Sequence, residues 1–319
     1  MNIATSLNRK YVRYAGVMLY SFAANNPVPA DVWILHNELT ENDLSYLASC
    51  VSSFAVTIHS LHIDDALFPE SLPVSDSWSK EAYFRLLLPD LLPADTERVL
   101  YLDVDIIVNR NISAFYLMPF EDRDLIATED ACGSNVPADY GEMNQKMLGP
   151  MYEKGHCYFC SGVVLFNIAG IRKKYSFKTY LDAFEAWNYQ MDAPDQDILN
   201  WVHWQHVGYV DPLQYNLFAR IAHNRGMSYE DVRSSCSIIH FAGDKPWHSR
   251  NVHFDIERLW WDYALKTPDR VQLLEAFLES SLRDYPRVEN YILQLEKQNA
   301  ELKSSLQQAM NLLRKISSQ

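Results

Sequence analysis

The sequence predicts an α/β fold, a buried and mostly parallel sheet with helices on its faces, followed by a C-terminal helical coiled coil. Short β-branched apolar runs alternate with amphipathic stretches as far as residue 241. The 319 residues are 48% hydrophobic, which supports one large core and an appendage. From Val288 to the end the apolar spacing is four-three with no glycine or proline, the pattern of a coiled coil.

The runs at 2–7, 32–36, 55–61, 99–102 and 125–128 read as strands, and those at 162–168 and 236–241 as later ones. They are near-continuously apolar rather than alternating, as strands covered on both faces are. Helical patterns at 11–24, 40–53 and 79–88 lie between the early strands, with further helices at 171–190 and 195–204. Residues 131–160 carry Gly133, Pro137, Gly141, Gly149, Pro150 and Gly155 and read as a long functional loop. A helical stretch follows at 256–286, where Pro286 marks a break. The expected domains are therefore 1–255, a helical extension 256–286, and a coiled-coil oligomerisation segment 287–319.

A net charge of −13 argues against a nucleic-acid partner, because such proteins neutralise phosphates with clustered Lys and Arg. One local basic pocket or a cation can still hold a diphosphate. The odd count of cysteines, Cys50, Cys132, Cys157, Cys160 and Cys236, suggests reduced thiols and a cytoplasmic setting. No run approaches the roughly 20 apolar residues that span a bilayer. The apolar patch Val17 to Ala24 makes a poor signal peptide and reads as part of a helix.

Chemistry concentrates in three segments. In "RVLYLDVDIIV" at 98–108 a buried strand runs into Asp103 and Asp105, which in extended chain point to one side and can share a cation. The plain alternative is two solvated acids at a strand end, but the flanking residues are wholly apolar. In "SIIHFAGDKPWH" at 237–248, His240 also ends an apolar strand, and Gly243 and Lys245 follow in a turn suited to phosphate. Two carboxylates and an imidazole suit Mn²⁺ better than Mg²⁺. A lone histidine there is more often a core residue; its company makes it a ligand candidate. In "DAPDQDILN" at 192–200, Pro194 opens a helix and Asp195 and Gln196 follow, readable also as a cap and a surface residue.

Taken with "AYFRLLLPDLLP" at 82–93 and "YFCSGVVLFN" at 158–167, these blocks in this order resemble glycosyltransferase family 8, which includes bacterial lipopolysaccharide galactosyl- and glucosyltransferases and glycogenin. The resemblance covers about residues 1–250 and implies a GT-A, Rossmann-like fold. It implies a retaining, metal-dependent transfer of a hexose, glucose or galactose, from a UDP-sugar to a glycan or lipid-linked glycan acceptor. By that resemblance Asp103, Asp105 and His240 hold Mn²⁺, with Mg²⁺ the alternative. Thr5, Leu7, Asn8 and Tyr11 receive uracil, Arg85 reaches the donor, and Val104 meets the ribose through its backbone. Gly243 and Lys245 bind the β-phosphate. Cys160, Ser161 and Asp192 lie beside the sugar, Asp195 fixes its hydroxyls, and Gln196 is nearest the anomeric carbon. The family usually has aspartate at Asn8, asparagine at Cys160, and two residues where Asp244 alone separates Gly243 from Lys245.

Cys157-x-x-Cys160 without a second pair is not a zinc site, and Asn111-Ile-Ser113 is a sequon relevant only to a secreted chain. Trp260, Trp261 and Tyr263 read as buried against the main domain rather than as a membrane patch, although a lipid-linked acceptor would bring the enzyme to the inner membrane face. The rival functions are a haloacid-dehalogenase-like phosphatase and a scaffold built on a decayed transferase. In the coiled coil, Val288, Leu295, Leu302, Ala309 and Ile316 fall at d and Ile292, Asn299, Leu306 and Leu313 at a, so a parallel homodimer is expected.

Overall fold

Among the described residues, runs of β-branched and aromatic side chains set ten strands, and their pairing makes two sheets. The computed structural model describes residues 1–74, 79–130, 140–249 and 254–317. The strands are β1 Asn2–Ser6, β2 Ala30–His36, β3 Val56–His62, β4 Val99–Leu102, β5 Ile106–Val108, β6 Leu125–Glu129, β7 Phe159–Phe166, β8 Val207–Val210, β9 Leu217–Phe218 and β10 Ile238–His240. The larger sheet has the order β3-β2-β1-β4-β7-β6-β8, and the smaller β5-β10-β9. In the large sheet only β7 runs against its neighbours, pairing antiparallel with β4 and β6. The expected mostly parallel sheet is therefore present, in mixed form.

Every residue of β4 and β7 is buried, because helices cover both faces. Alternation divides their side chains between two cores: Tyr101, Val164 and Phe166 join one, and Leu100, Leu102, Val163 and Leu165 the other. Local signals start the flanking helices. Thr40 and Asp43 form a capping box for Glu41–Val51, and Ser228 and Asp231 one for Tyr229–Ser235.

Several boundaries differ from the sequence reading. The expected helix over 79–88 is a 3₁₀ segment, Lys80–Leu87, running into a short helix Leu88–Leu91; Pro89 has no N–H with which to continue an α-helix over the Arg85 carbonyl. The region 131–160 is not all loop, since Glu142–Tyr152 is helical despite Gly149 and Pro150. The calls on Cys132, Gly133 and Pro137 lie outside the described residues. The segment 98–108 is two strands in two sheets, not one. Pro286 does not break the chain, because a single helix runs Arg270–Ser317. A proline costs about 3 kcal/mol inside a helix, a penalty of local size that a long helix can absorb.

Trp260 and Tyr263 are buried, as packing against the main domain requires. Cys50, Cys157, Cys160 and Cys236 are free thiols. Among the described residues no helix is long and apolar enough to cross a membrane.

Beside the site, buried polar groups fasten the Pro194–His203 helix. Asn200 Nδ2 donates to the Phe159 carbonyl, while its Oδ1 accepts from Phe159 N at 2.9 Å and sits 3.0 Å from His156 Nε2. Burial pulls the His156 pKa down to about 4, opposed by that bond to Asn200. His203 is lowered by burial too, against the raising effect of Asp124. Both histidines are neutral in the fold, so the unfolded chain binds more protons once pH falls below about 6.5. Stability should therefore fall between pH 6.5 and 4, with His156 contributing roughly 2–3 kcal/mol at the acid end. Thermal melts of His156→Gln across that window should show a shallower slope than the parent; an unchanged slope would show that His156 is not held neutral.

Candidate active site

Leu102 ends β4 and Ile106 opens β5, so three residues carry the chain from the large sheet to the small one. Asp103 N donates to the Gly162 carbonyl at 2.9 Å, on β7, and the Asp105 carbonyl accepts from Phe241 N at 2.9 Å, just past β10. Each aspartate is thus tied to a different sheet. His240 closes β10 opposite Ile106. One ligand atom from each of Asp103, Asp105 and His240 lies within 4.8 Å of the others. Sequence reasoning put the two carboxylates on one side of a continuous strand; a turn between sheets brings them together instead.

Gly162 makes room for this meeting. A Cβ there would stand 2.6 Å from Asp103 Oδ2 and 2.6 Å from His240 Cε1. His240 Nδ1 is 2.9 Å from Asn216 Oδ1, and Asn216 Nδ2 donates to Thr128 Oγ1 at 2.9 Å. The amide oxygen therefore accepts from Nδ1–H, turning Nε2 towards Asp105 Oδ1 at 3.2 Å. This is how an outer partner fixes the tautomer of a metal-binding histidine.

Burial lowers the basicity of His240, but Asp105 more than reverses this and raises its pKa to about 10. Burial likewise pushes the Asp105 carboxyl up, and the charges of Lys245 and His240 overcome it and hold it well below the carboxylate range. Lys245 Nζ contacts Asp105 and donates to the Phe241 carbonyl at 2.9 Å. The site thus gathers positive charge onto its carboxylates. Oxygen and nitrogen donors, an oriented ring and the space left by Gly162 fit a divalent cation.

Arg85 lies behind the trio and is buried. Its NH1 donates to the Ser161 carbonyl at 2.6 Å, its NH2 to Asp103 Oδ1 at 3.0 Å, and its Nε lies 3.5 Å from Asp195 Oδ2. The guanidinium also stacks over Tyr101 at 4.2 Å. Burial raises the Asp195 pKa, Arg85 works against this, and Ser161 Oγ donates to Asp195 Oδ2 at 3.0 Å. Gln196 Oε1 accepts from Ser161 N at 2.8 Å, so Asp195 and Gln196 both grip the start of β7. Cys160 is buried there and its thiol reaches His240.

Asp192 stands apart, accepting from Asn144 N at 2.8 Å at the start of the Glu142–Tyr152 helix. Thr5, at the carboxyl end of β1, is buried with its Oγ1 lacking a hydrogen-bond partner. Leu7 is buried, and Val104 and Tyr11 are half-buried, Tyr11 lying edge-on to Tyr14 at 5.9 Å. Asn8 Oδ1 is engaged with Lys10 N at 3.1 Å. Gly243 adopts φ +85°, which its lack of a side chain permits, and the adjacent Asp244 accepts from Arg220 at 2.7 Å.

Sequence reasoning missed Asn216, Gly162 as a spacer, and Asp197. Asp197 Oδ2 accepts from the backbone N–H of Asp192 and Ala193, and its Oδ1 from Asn144 and Tyr158, fixing the turn before Asp195. Gly162 had a signal, a glycine inside a wholly apolar strand, which marks close approach. Asn216 sits in a short β9 connection with no sequence signature.

The sequence profile described as Glycosyl transferase family 8 matches residues 2–251. The chain belongs to glycosyl transferase family 8. It is 24% identical over 255 residues to a lipopolysaccharide 1,2-glucosyltransferase of Escherichia coli, covering 77% of this chain and 73% of that one. It is 22% identical over 251 residues to a lipopolysaccharide 1,3-galactosyltransferase of Salmonella typhimurium, covering 78% and 73%. The solved galactosyltransferase LgtC, in complex with donor and acceptor sugar analogues, superposes with a TM-score of 0.68 at 23% identity over 84% of this chain and 96% of that one. This family 8 chain is accordingly a glycosyltransferase that uses a nucleotide-sugar donor and a glycan acceptor, with a GT-A-like fold.

If Gly162 keeps the three candidate ligands together, Gly162→Ala should weaken divalent-cation binding by tenfold or more while leaving the far-ultraviolet circular dichroism unchanged. Titration calorimetry giving parental affinity would show that the close approach has no role.

Proposed function

We propose that this family 8 enzyme moves a hexose, glucose or galactose, from a UDP-sugar to a glycan such as lipopolysaccharide or another surface polysaccharide, with the anomeric configuration retained. The convergence of Asp103, Asp105 and His240, with Lys245 on one side and Arg85 on the other, carries this reading. A bound Mn²⁺, or Mg²⁺ in its place, would be held by the trio and would neutralise charge developing on the leaving diphosphate.

The side chains divide the remaining work. Lys245, freed from Asp105, supplies a mobile positive charge to the β-phosphate, with the Gly243 backbone beside it. Thr5 offers an unused hydroxyl where the base would lie, together with Leu7, Asn8 and Tyr11, and Val104 meets the ribose. Arg85 holds Asp103 and Asp195 in register with the donor. Asp195 and Ser161 take sugar hydroxyls, with Cys160 and Asp192 at the margins. Gln196 supports positive character at the anomeric carbon, and its carboxamide is a poor nucleophile. A front-face reaction follows: the acceptor oxygen bonds to the anomeric carbon as the carbon–phosphate oxygen bond breaks on the same side. The acceptor proton passes to a β-phosphate oxygen, and UDP leaves.

The domain limits read from the sequence, 1–255, 256–286 and 287–319, belong to the same proposal, as do a cytoplasmic setting with peripheral contact at the inner membrane face and a homodimer through the C-terminal helix. The phosphatase and scaffold readings have no support from the family assignment.

Asp103→Ala and Asp105→Ala should each abolish metal-dependent release of UDP from UDP-hexose, at least a hundredfold, as EDTA should in the parent. Near-normal release by either variant would remove the metal assignment. An α-linked donor should give an α-linked product; a β-linkage in the proton NMR of the purified glycan would contradict retention.

A further inference from the structure

The root of the C-terminal helix Arg270–Ser317 has two faces of different fate. Leu273 is buried in one core with Ile256, Trp260 and Tyr263, Phe277 packs edge-on against Trp261 at 5.3 Å, and Ser280 Oγ meets Ser249 Oγ at 2.5 Å. On the same turns Val271, Leu274 and Leu278 are 52%, 38% and 57% exposed. Rolling the helix to cover them would pull Leu273 out of its core, so the chain's own domain cannot bury this face.

Counting back in sevens from Ile292 passes Tyr285 and reaches Leu278 and then, one heptad further, Val271, all at a. Counting back from Leu295 reaches Leu274 at d. The exposed root residues thus share one seam with the exposed Ile292, Leu295, Leu302 and Leu306 of the distal part. The helix keeps both parts in phase because it is continuous across Pro286, which falls at b, off the seam. From Val271 to Leu306 the seam is about 50 Å long at 1.5 Å per residue.

We propose that a second copy of this chain docks along this whole seam as a parallel two-stranded coil, beginning at Val271, which sets both catalytic domains at the same end. The inference rests on the homodimer reading above and extends it to the face beside the catalytic domain. Asn299, the polar a position and exposed in the single chain, meets its own mate only in the parallel register. In that register g positions face the following e positions: Arg270 meets Glu275, an opposite-charged pair, Gln298 meets Lys303 and Ser305 meets Met310, while Asp284 meets Glu289, one like-charged pair that weakens the coil without shifting its register. A lipid surface is disfavoured by charge: residues 270–307 hold five Lys or Arg (270, 283, 287, 297, 303) against six Asp or Glu (275, 279, 284, 289, 296, 301), where a surface-lying helix carries a basic face.

Sedimentation equilibrium of the full chain and of two variants tests this. The full chain should be a dimer, and Leu302→Glu and Leu278→Glu should each weaken it at least tenfold while UDP release persists. Both leucines are exposed in the single chain, so neither change disturbs its fold. A monomeric full chain at tens of micromolar would overturn the homodimer reading and this inference together. A dimer weakened by Leu302→Glu and untouched by Leu278→Glu would keep the homodimer and overturn the extended seam. Leu295→Cys should form an intermolecular disulfide under mild oxidation; a dimer that fails to do so is not parallel. Co-sedimentation of a monomeric chain with phosphatidylglycerol vesicles would make the seam a lipid contact instead.

Discussion

The site depends on one close approach: Gly162, in the centre of a fully buried strand, lets a carboxylate from the end of β4 and an imidazole from the end of β10 stand over the same point of β7. The two groups belong to different sheets, so no single element could present them together. The turn at Asp103 to Asp105 joins those sheets covalently, and the hydrogen bonds at either end of it fix the join. Any side chain at Gly162 would separate the groups that the turn gathers. The glycine is therefore a geometric condition for the chemistry and contributes little to the strand's own stability, where glycine is a weak choice.

Around that point each carboxylate is set beside a cation. Asp103 and Asp195 are like charges beside the same guanidinium, and Arg85 compensates both while bonding to the Ser161 carbonyl between them. Removing Arg85 would leave two carboxylates uncompensated, the situation in which buried ion pairs become strongly destabilising. Asp105 is compensated differently, by Lys245 and His240. Arg85 is braced on three sides, whereas Lys245 is held by flexible methylenes from a turn. The first is suited to fixing geometry and the second to exchanging one anion for another.

The strands of the large sheet were legible because burial on both faces writes an uninterrupted apolar run, and the Asp-x-Asp and His240 segments were legible because acids and histidines interrupt such runs. What was not legible arises from meetings between distant segments. The 98–108 run gives no sign that its halves enter different sheets, since every residue of β4 and of β5 is apolar and buried. Asn216 orients His240 from the single residue between the short helix Pro212–Tyr215 and the two-residue strand β9, a stretch too short for any periodicity. The Glu142–Tyr152 helix was hidden by Gly149 and Pro150, residues that punctuate loops but are tolerated near this helix's end. Asp192 was placed beside the sugar by resemblance; the bond observed for it runs from Asn144 N and anchors that helix.

The C-terminal helix is joined to the site by packing as well as by sequence. Trp247, two residues after Lys245, stacks on Tyr14 of the first helix at 4.1 Å and lies 5.0 Å from Trp260. Trp260 meets Trp261, which in turn meets Phe277 on the C-terminal helix. Aromatic contacts of this kind are each worth about 0.5–1.5 kcal/mol beyond the area they bury. Ser249 bonds the far end of the same turn to Ser280. The turn bearing Gly243 and Lys245 is therefore clamped at Trp247 and Ser249 while Lys245 itself stays outside the clamp. Such an arrangement fixes where the ammonium originates and leaves its reach free, which is what the role proposed for Lys245, exchanging a carboxylate for a phosphate, would require.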